Sequence, residues 1–261
     1  MTKEPIVRCI VEGALTAIVR QPTLRSWARR HGLTRLAHRI RARLSLWGSA
    51  ETNEDRFATA LQAAVRPGDC VWDIGANVGR YTARFRDAVG PDGLVCAFEP
   101  APACFALLKA VVVQAPNVRP FNVALGDRDA RMTLNLAANP LYGAHSMVAA
   151  PHVDGCTVEV PVFSGDHFRV MQDLPIPQVI KIDVEGFEEE VLGGLGQTIR
   201  DLRCRAVFVE VHFMLLDERG QRDAPTRIEH SLTALGFRVR WSDPSHLVAQ
   251  RRSARSDRWA S

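Results

Sequence analysis

The residues of this chain that could do chemistry begin with a carboxylate followed by glycines. Asp73 ends the apolar run Cys70–Trp72, and Gly75 and Gly79 follow it in the spacing D-x-G-x-x-x-G. Helical spacing resumes after Val78, so the pattern predicts a buried strand, a tight turn and a helix. A carboxylate at the end of a parallel strand faces the crevice where open α/β sheets bind nucleotides, although an ordinary βα turn gives the same pattern. Because Gly75 has no Cβ, it lets the backbone come close to a ligand.

A second carboxylate, Glu99, ends the apolar run Leu94–Phe98. In nucleotide-binding folds an acid at the tip of the second strand holds ribose hydroxyls, and its oxygens can accept hydrogen bonds from both hydroxyls of a cis-diol. The alternative is a helix-capping acid before the helix that is predicted from about Pro102. The order and spacing of Asp73, the glycines and Glu99 favour ribose binding.

Polar residues also end two later predicted strands. The segment Gln178–Asp183 is predicted to be a central strand that runs into Glu185, and Ala206–Val211 is predicted to be the next strand. The second of these brings Glu210 and His212 to the same edge of the sheet.

Two further inferences follow from this spacing. Lys181 and Asp183 are two residues apart and therefore point to the same side of their strand. Asp183, Glu185 and Glu210 could supply the hard oxygen ligands of a divalent cation. They are spread over two strands with no compact ligand run, so no metal site is predicted.

Composition limits the class of protein. The chain has 261 residues and 46% hydrophobic content, enough for one large α/β domain with a short extension. Its formal charge of +4 is uneven, since basic residues concentrate at both ends and the centre is acidic. An acidic centre argues against a nucleic-acid groove there, because phosphate binding needs clustered cations.

The ends are predicted to be separate from the domain. Residues 1–50 are expected to form a basic helical extension, residues 51–250 the main domain and residues 251–261 a basic flexible tail. The extension either packs as a helical cap on the core or contacts an anionic membrane surface peripherally through its basic face and tryptophans. Its longest uncharged run, Gly13–Val19, is too short to span a bilayer. With no C-x-x-C pair among six cysteines, we expect a soluble, cytoplasmic protein.

Strands and helices alternate along the centre and end in an antiparallel hairpin, which predicts a seven-stranded sheet with helices on both faces. Alternation from Val158 to Val162 predicts an edge strand. The segment Phe187–Arg200 is predicted to be one helix despite its paired glycines. The polar segment Ala137–Cys156, which contains His145, is predicted to be a loop over the ligand-binding edge.

These motifs together resemble the FkbM family of S-adenosylmethionine-dependent methyltransferases. The resemblance covers roughly residues 55–215, and the residues that carry it are DIGANVG at 73–79, AFEP at 97–100, NVALGD at 122–127, KIDVEG at 181–186 and VEVH at 209–212. It implies a class I methyltransferase-like, Rossmann-like fold with a mostly parallel seven-stranded sheet. It also implies methyl transfer from S-adenosylmethionine to a hydroxyl of a sugar, glycolipid or secondary metabolite. The family has t-L-D before KIDVEG where this chain reads FSGDHF, so Asp166 would take that place only with a shifted register.

The resemblance also implies roles for single residues. A loop of glycines would surround the methionine part of the cofactor, Glu99 would bind its ribose, and the end of the third strand would border its adenine. Asp183 would lie beside the sulfonium and the acceptor. The predicted cofactor-binding residues are Asp73, Gly75, Ala76, Asn77, Gly79, Glu99, Asn122, Val123, Ala124 and Asp183.

An alcohol nucleophile must lose its proton to a carboxylate or an imidazole within hydrogen-bonding reach. The candidates are Asp183, Glu185 and His212, with His145 on the predicted loop as an outsider. Each has a simpler interpretation: Asp183 only binds cofactor, Glu185 is a helix-start acid favoured by the helix dipole, and His212 bonds a loop carbonyl.

Two other functions stay open from sequence. An NAD(P)-type Rossmann oxidoreductase would need the third glycine of G-x-G-x-x-G, and this chain has Val78 and Arg80 in that region. A catalytically inactive cofactor-binding interaction module would keep the same fold, because function resides in the site.

Overall fold

The computed structural model of the chain describes residues 53–136 and 157–251. The predicted N-terminal extension, the loop at 137–156 with His145, and the tail beyond residue 251 lie outside these residues, so what was inferred about them stays a prediction. Within the described residues, no helix is both long and apolar enough to cross a lipid bilayer.

Seven of the ten described strands form one twisted sheet in the order β3-β2-β1-β7-β8-β10-β9. The first five strands in that order pair in parallel, and β10 pairs antiparallel with both of its neighbours. This confirms the predicted seven-stranded, mostly parallel sheet with a terminal hairpin. The strands are β1 (Cys70–Ile74), β2 (Leu94–Phe98), β3 (Val118–Phe121), β4 (Ala124–Gly126), β5 (Ala130–Asn135), β6 (Thr157–Ser164), β7 (Val179–Ile182), β8 (Ala206–Glu210), β9 (Arg238–Trp241) and β10 (His246–Gln250).

Helices cover both faces of this sheet, as the sequence predicted. Every residue of β1 and β7 is buried, which explains why these strands are apolar except for Asp73 and Lys181. Trp72 packs in the core on one face, while Val71 packs with Phe57 on the other. The helices are α1 (Asn53–Ala64), α2 (Arg80–Val89), α3 (Pro102–Val111), α4 (Gly165–Met171), α5 (Glu188–Gly194), α6 (Gly196–Arg200), α7 (Phe213–Glu218) and α8 (Ala224–Ala234).

The prediction that β6 is an edge strand was wrong. β6 is the middle strand of a second, three-stranded sheet, parallel to β4 and antiparallel to β5. The alternation did identify its covered face, since Val160 and Val162 are buried. Alternation reports burial on one face and carries no information on how many strands pair alongside, which is why the sequence could not place β6.

The single helix predicted over Phe187–Arg200 is in fact two helices, α5 and α6, which meet at Leu195. Gly194 lies against the backbone of β4, where a Cβ would stand 1.8 Å from the carbonyl oxygen of Gly126. The carboxylate of Asp166 accepts hydrogen bonds from the backbone N–H groups of Gln197 (2.7 Å) and Thr198 (2.8 Å) at the start of α6. Asp166 is therefore a helix cap, which explains an acid at that position.

Replacing Asp166 with alanine should lower the free energy of unfolding by about 1 kcal/mol, because two N–H groups lose their acceptor. Urea denaturation of the variant measures this loss. Asp92→Ala, which removes an exposed turn carboxylate, is the matched control and should change stability by less than about 0.5 kcal/mol. Equal stability of the Asp166 variant and the control would contradict the capping role.

Candidate active site

The turn between β1 and α2 is shaped by the end of β7. Gly75 has φ +79°, and a Cβ there would lie 1.8 Å from the backbone carbonyl oxygen of Asp183. The sequence suggested that this glycine makes room for a ligand. The structure gives a further reason, which is that β7 ends against the turn. The N–H groups of Gly75 and Ala76 both donate to the carbonyl of Phe98 at 3.0 Å, which fastens the turn to β2.

Glu99 holds the backbone before α3, as one of the two sequence alternatives expected, and ribose binding stays a prediction. One carboxylate oxygen accepts the N–H of Asn77 at 2.7 Å, and the other accepts the N–H of Ala101, which precedes α3, at 2.8 Å. Burial raises the pKa of Glu99 to about 7, although both hydrogen bonds act in the opposite direction. The side-chain amide of Asn122 supports this corner by donating to the carbonyls of Glu99 and Pro100.

Asp73 is fully buried beneath the turn instead of facing the crevice, which corrects the expectation from sequence. Its carboxylate accepts a hydrogen bond from the hydroxyl of Thr82 at 2.6 Å and lies 3.4 Å from the ammonium nitrogen of Lys181. Because this buried carboxylate contacts Thr82 of α2 and Lys181 of β7, its role is to anchor α2 and the turn.

Lys181 links β7 to that anchor. Its ammonium, 2% exposed, lies 3.3 Å from the carbonyl oxygen of Gly75 and 3.2 Å from Asp183, and it stands over the ring of Tyr81. Burial alone would lower the pKa of Lys181, but Asp183 and Asp73 outweigh it and raise the pKa. Burial likewise opposes ionisation of Asp183, yet Lys181 and His212 keep its pKa below the usual range. Sequence analysis placed Lys181 on the side of Asp183 but gave it no role.

A cleft opens between this corner and the second sheet, with about 640 Å³ of free space including its mouth. Among the predicted cofactor residues, those that line it are Gly75, Asn77, Glu99, Val123, Ala124 and Asp183. The other four predicted cofactor-binding residues do not line the cleft; they are Asp73, Ala76, Gly79 and Asn122. Leu134 and Phe187, which sequence analysis did not select, complete the wall because β5 and the start of α5 fold over it. No motif marked these two residues.

The three predicted catalytic residues meet at the mouth of this cleft. Nε2 of His212 lies 3.1 Å from Glu185 and 3.8 Å from Asp183. Nδ1 of the same ring lies 2.7 Å from Glu188, which is fully buried and also accepts the N–H of Gly186 at 2.9 Å. Glu188 was missed, since nothing in the run Glu188–Glu190 distinguishes the acid that turns inward.

The charges at the mouth follow from these contacts. Burial alone would lower the pKa of His212, but the hydrogen bond and charge of Glu188, with Glu185 and Asp183, raise it to about 10. Burial raises the pKa of Glu185 to about 7 despite the nearby imidazolium. His212 is therefore charged at neutral pH, while Glu185 titrates there. Glu185 also has φ 51°, a left-handed conformation that is uncommon without a functional reason.

The same three side chains offer ligand atoms within 4.8 Å of one another, a spacing that a divalent cation could use. The set contains His212 in place of the Glu210 that was considered from sequence. In this arrangement the positive charge of the His212 imidazolium offsets the negative charges of Asp183 and Glu185.

The strand order and this cleft define the chain as a class I methyltransferase domain, Rossmann-like in its parallel half. Residues 73–239 match the family described as "Methyltransferase FkbM domain". The chain therefore belongs to the FkbM methyltransferase family, which confirms the resemblance, the fold class and S-adenosylmethionine as the cofactor of the family. The match gives no support to the oxidoreductase alternative.

Two relatives illustrate the similarity. The hexuronic acid methyltransferase AglP of Haloferax volcanii is 29% identical over 145 residues, which cover 55% of this chain and 56% of AglP. The 31-O-demethyl-FK506 methyltransferase FkbM of Streptomyces tacrolimicus is 31% identical over 186 residues, which cover 60% of this chain and 71% of that protein. The chain thus spans little more than half the length of the first relative.

Comparison with solved structures finds similarity at low sequence identity. Fibrillarin from Aeropyrum pernix, in complex with S-adenosyl-L-methionine, has a TM-score of 0.46 at 15% identity over 74% of this chain and 71% of its own. Precorrin-6y C5,15-methyltransferase from Geobacter metallireducens has a TM-score of 0.47 at 13% identity over 79% of this chain and 94% of its own.

Replacing Lys181 with methionine should lower the free energy of unfolding by about 3–5 kcal/mol, because the buried carboxylate of Asp73 and the partly exposed carboxylate of Asp183 lose their counter-ion. Urea denaturation at pH 7 measures this loss. Because Lys181 holds the pKa of Asp183 below its usual range, the deficit should shrink as the pH falls and Asp183 becomes protonated. Lys109→Met, at an exposed position, is the control, and an equal loss in both variants would contradict the role of the buried ammonium.

Proposed function

We propose that this chain transfers the methyl group of S-adenosylmethionine to a hydroxyl oxygen of a sugar, glycolipid or secondary metabolite. One observation carries the proposal: a single cleft has a buried acid at the end of β2 and a proton-handling cluster at the ends of β7 and β8. The names of the two relatives, a hexuronic acid methyltransferase and an FK506 methyltransferase, are consistent with such acceptors.

The lining of the cleft suits the cofactor in three parts. Each carboxylate oxygen of Glu99 accepts one backbone N–H, from Asn77 or from Ala101. Each oxygen has a second lone pair, which can accept a hydrogen bond from a ribose hydroxyl. Val123 and Ala124 offer an apolar border to adenine. Gly75 and Asn77 border the methionine part. When bound, S-adenosylmethionine supplies a methyl group on a positively charged sulfur.

Glu185 is the proposed general base. Its pKa of about 7 suits proton transfer at neutral pH, because an effective catalyst has a pKa near the working pH. Asp183 is a weaker base, since Lys181 holds its charge, and is assigned to positioning at the reacting centre. His212 is already protonated at neutral pH, so it orients Glu185 and Asp183. This differs from the earlier hypothesis in which imidazole takes the proton.

Methyl transfer is an in-line displacement, so holding the acceptor oxygen, the methyl carbon and the sulfur collinear supplies much of the rate. Glu188 accepts hydrogen bonds from Nδ1 of His212 and from the backbone N–H of Gly186, and these two bonds restrict the side chains at the mouth to one arrangement. Incubation with isotopically labelled S-adenosylmethionine and fractionated glycans, lipids and metabolites tests the function. Cofactor binding without transfer to any fraction would favour the inactive interaction module.

Replacing Glu99 with alanine should weaken cofactor binding by about 1–3 kcal/mol, because ribose hydroxyls lose a charged acceptor. Calorimetry with S-adenosylmethionine and with its demethylated product measures this loss. Glu218→Gln, at an exposed position of α7, should bind as the wild type does. Tight NAD binding with no response to S-adenosylmethionine would overturn the assignment.

Replacing Glu185 with glutamine should lower kcat by about 100-fold or more while cofactor affinity stays nearly constant, because the base is lost and the shape is kept. In the wild type, kcat should fall below about pH 7 as Glu185 becomes protonated, and the variant should lack this limb. If Asp183→Asn reproduces both effects while Glu185→Gln leaves kcat unchanged, the base is Asp183.

A further inference from the structure

A second buried histidine, His246, lies behind the proposed site and has no role in the mechanism above. Its Nδ1 lies 2.9 Å from both carboxylate oxygens of Asp243, and the ring of Phe57 packs on it with centroids 4.2 Å apart. Burial alone would lower the pKa of His246, but Asp243 and Glu210 outweigh it and raise the pKa to about 9. The ring is therefore an imidazolium at neutral pH, with N–H groups on both sides.

The other nitrogen of this ring holds Glu210. Nε2 of His246 lies 3.4 Å from Oε2 of Glu210, and the two residues stand opposite each other on β10 and β8. The side chain of His246 is 7% exposed, whereas that of Glu210 is 34% exposed. A buried cation thus fixes a carboxylate that reaches the solvent at the sheet edge.

Glu210 stands next to the proposed reacting centre. Ile182 pairs with Val209 in the parallel register of β7 and β8, so the residues that follow, Asp183 and Glu210, end neighbouring strands side by side. An acceptor that reaches the shared ends of β7 and β8 would therefore lie beside Glu210 as well as Asp183.

Hairpin stability does not explain this arrangement. Asp243 accepts the backbone N–H groups of Ser245 (2.9 Å) and His246 (3.1 Å), so it holds the turn between β9 and β10 through the main chain. That task requires neither an imidazolium nor Glu210. Because a buried ion pair adds little net stability compared with apolar residues, the fixed position of Glu210 is what the pair provides.

The charges that an acceptor meets at this edge are mainly negative. Among the described residues at the ends of β7 and β8, the partly exposed carboxylates are Asp183 (26%), Glu185 (25%) and Glu210 (34%). The cations nearby are Lys181 and His246, which are buried, His212, which is turned toward carboxylates, and Arg219, which donates to the carbonyl of Gly186 and pairs with Glu190. Hydroxyl groups can donate to such an edge, whereas a carboxylate on the acceptor would be repelled.

We propose that Glu210, positioned by His246 and Asp243, binds the hydroxyls beside the one that is methylated and selects uncharged glycosides over uronic acids. This inference rests on the proposed function and gives its acceptor a chemical class. It also predicts that the acceptor of this chain differs from the one in the name of AglP, the hexuronic acid methyltransferase to which the chain is similar.

Paired probes test the selection directly. The full chain is incubated with labelled S-adenosylmethionine and the methyl glycosides of glucose, galactose and mannose, each beside the glycoside of its uronic acid. The members of a pair differ only in a hydroxymethyl or a carboxylate group. The wild type should favour the neutral member by about tenfold or more in kcat/KM, the size of effect that an unpaired or repelled charge produces.

Three variants assign the selection to these residues. Glu210→Gln, assayed above about pH 8 where Glu185 is ionised in both proteins, should raise KM for the neutral glycosides several-fold and reduce the preference over uronosides, with kcat and the KM for S-adenosylmethionine almost unchanged. His246→Gln should also raise KM for the neutral glycosides and reduce the preference over uronosides. Both effects should be smaller than in Glu210→Gln, because Glu210 remains but loses its contact with the imidazolium of His246. Glu218→Gln should match the wild type.

The outcomes separate the inference from the function on which it rests. Methylation of uronosides as well as or better than neutral glycosides overturns the inference and leaves the methyltransferase proposal standing. An unchanged preference in Glu210→Gln, with a folded protein by circular dichroism, also overturns it. Transfer to neither member of any pair, by a protein that binds S-adenosylmethionine, contradicts the sugar acceptor itself and the inference with it.

Discussion

The ammonium group of Lys181 holds together two segments of the chain that are distant in sequence, the ends of β1 and β7. It contacts Asp73 at the end of β1, the carbonyl of Gly75 in the turn, and Asp183 beyond the end of β7. Each carboxylate would be strongly unfavourable at this depth without a counter-ion, and the ammonium would be equally unfavourable alone. The turn after β1 and the ionised state of Asp183 therefore depend on a single buried cation.

A similar arrangement recurs twice at the same sheet edge. His212 stands between Glu188 and Glu185, and His246 stands between Asp243 and Glu210. In each case a buried acid contacts one ring nitrogen, and the other nitrogen faces a partly exposed carboxylate, Glu185 or Glu210. Cations placed behind the surface allow several carboxylates to share a small mouth, because they offset mutual repulsion that would otherwise protonate one of them.

Backbone contacts add a second constraint. Gly75 and Gly194 each lie where a Cβ would stand 1.8 Å from a carbonyl oxygen, of Asp183 and Gly126 respectively. The first contact brings β7 against the cofactor turn, and the second brings α5 against β4. Through them the second sheet and α5 close over the cleft, which is how Leu134 and Phe187 come to line it.

The sequence by itself determined the seven-stranded sheet and the meeting of Asp183, Glu185 and His212, because buried strands, strand ends and glycine turns are local patterns. Only the tertiary structure decided that Asp73 is an anchor, that β6 belongs to a second sheet and that Phe187–Arg200 divides at Leu195. It also decided which acids face Lys181, His212 and His246. Charge partners and sheet neighbours depend on contacts between residues distant in sequence, and these are fixed only when the whole core packs.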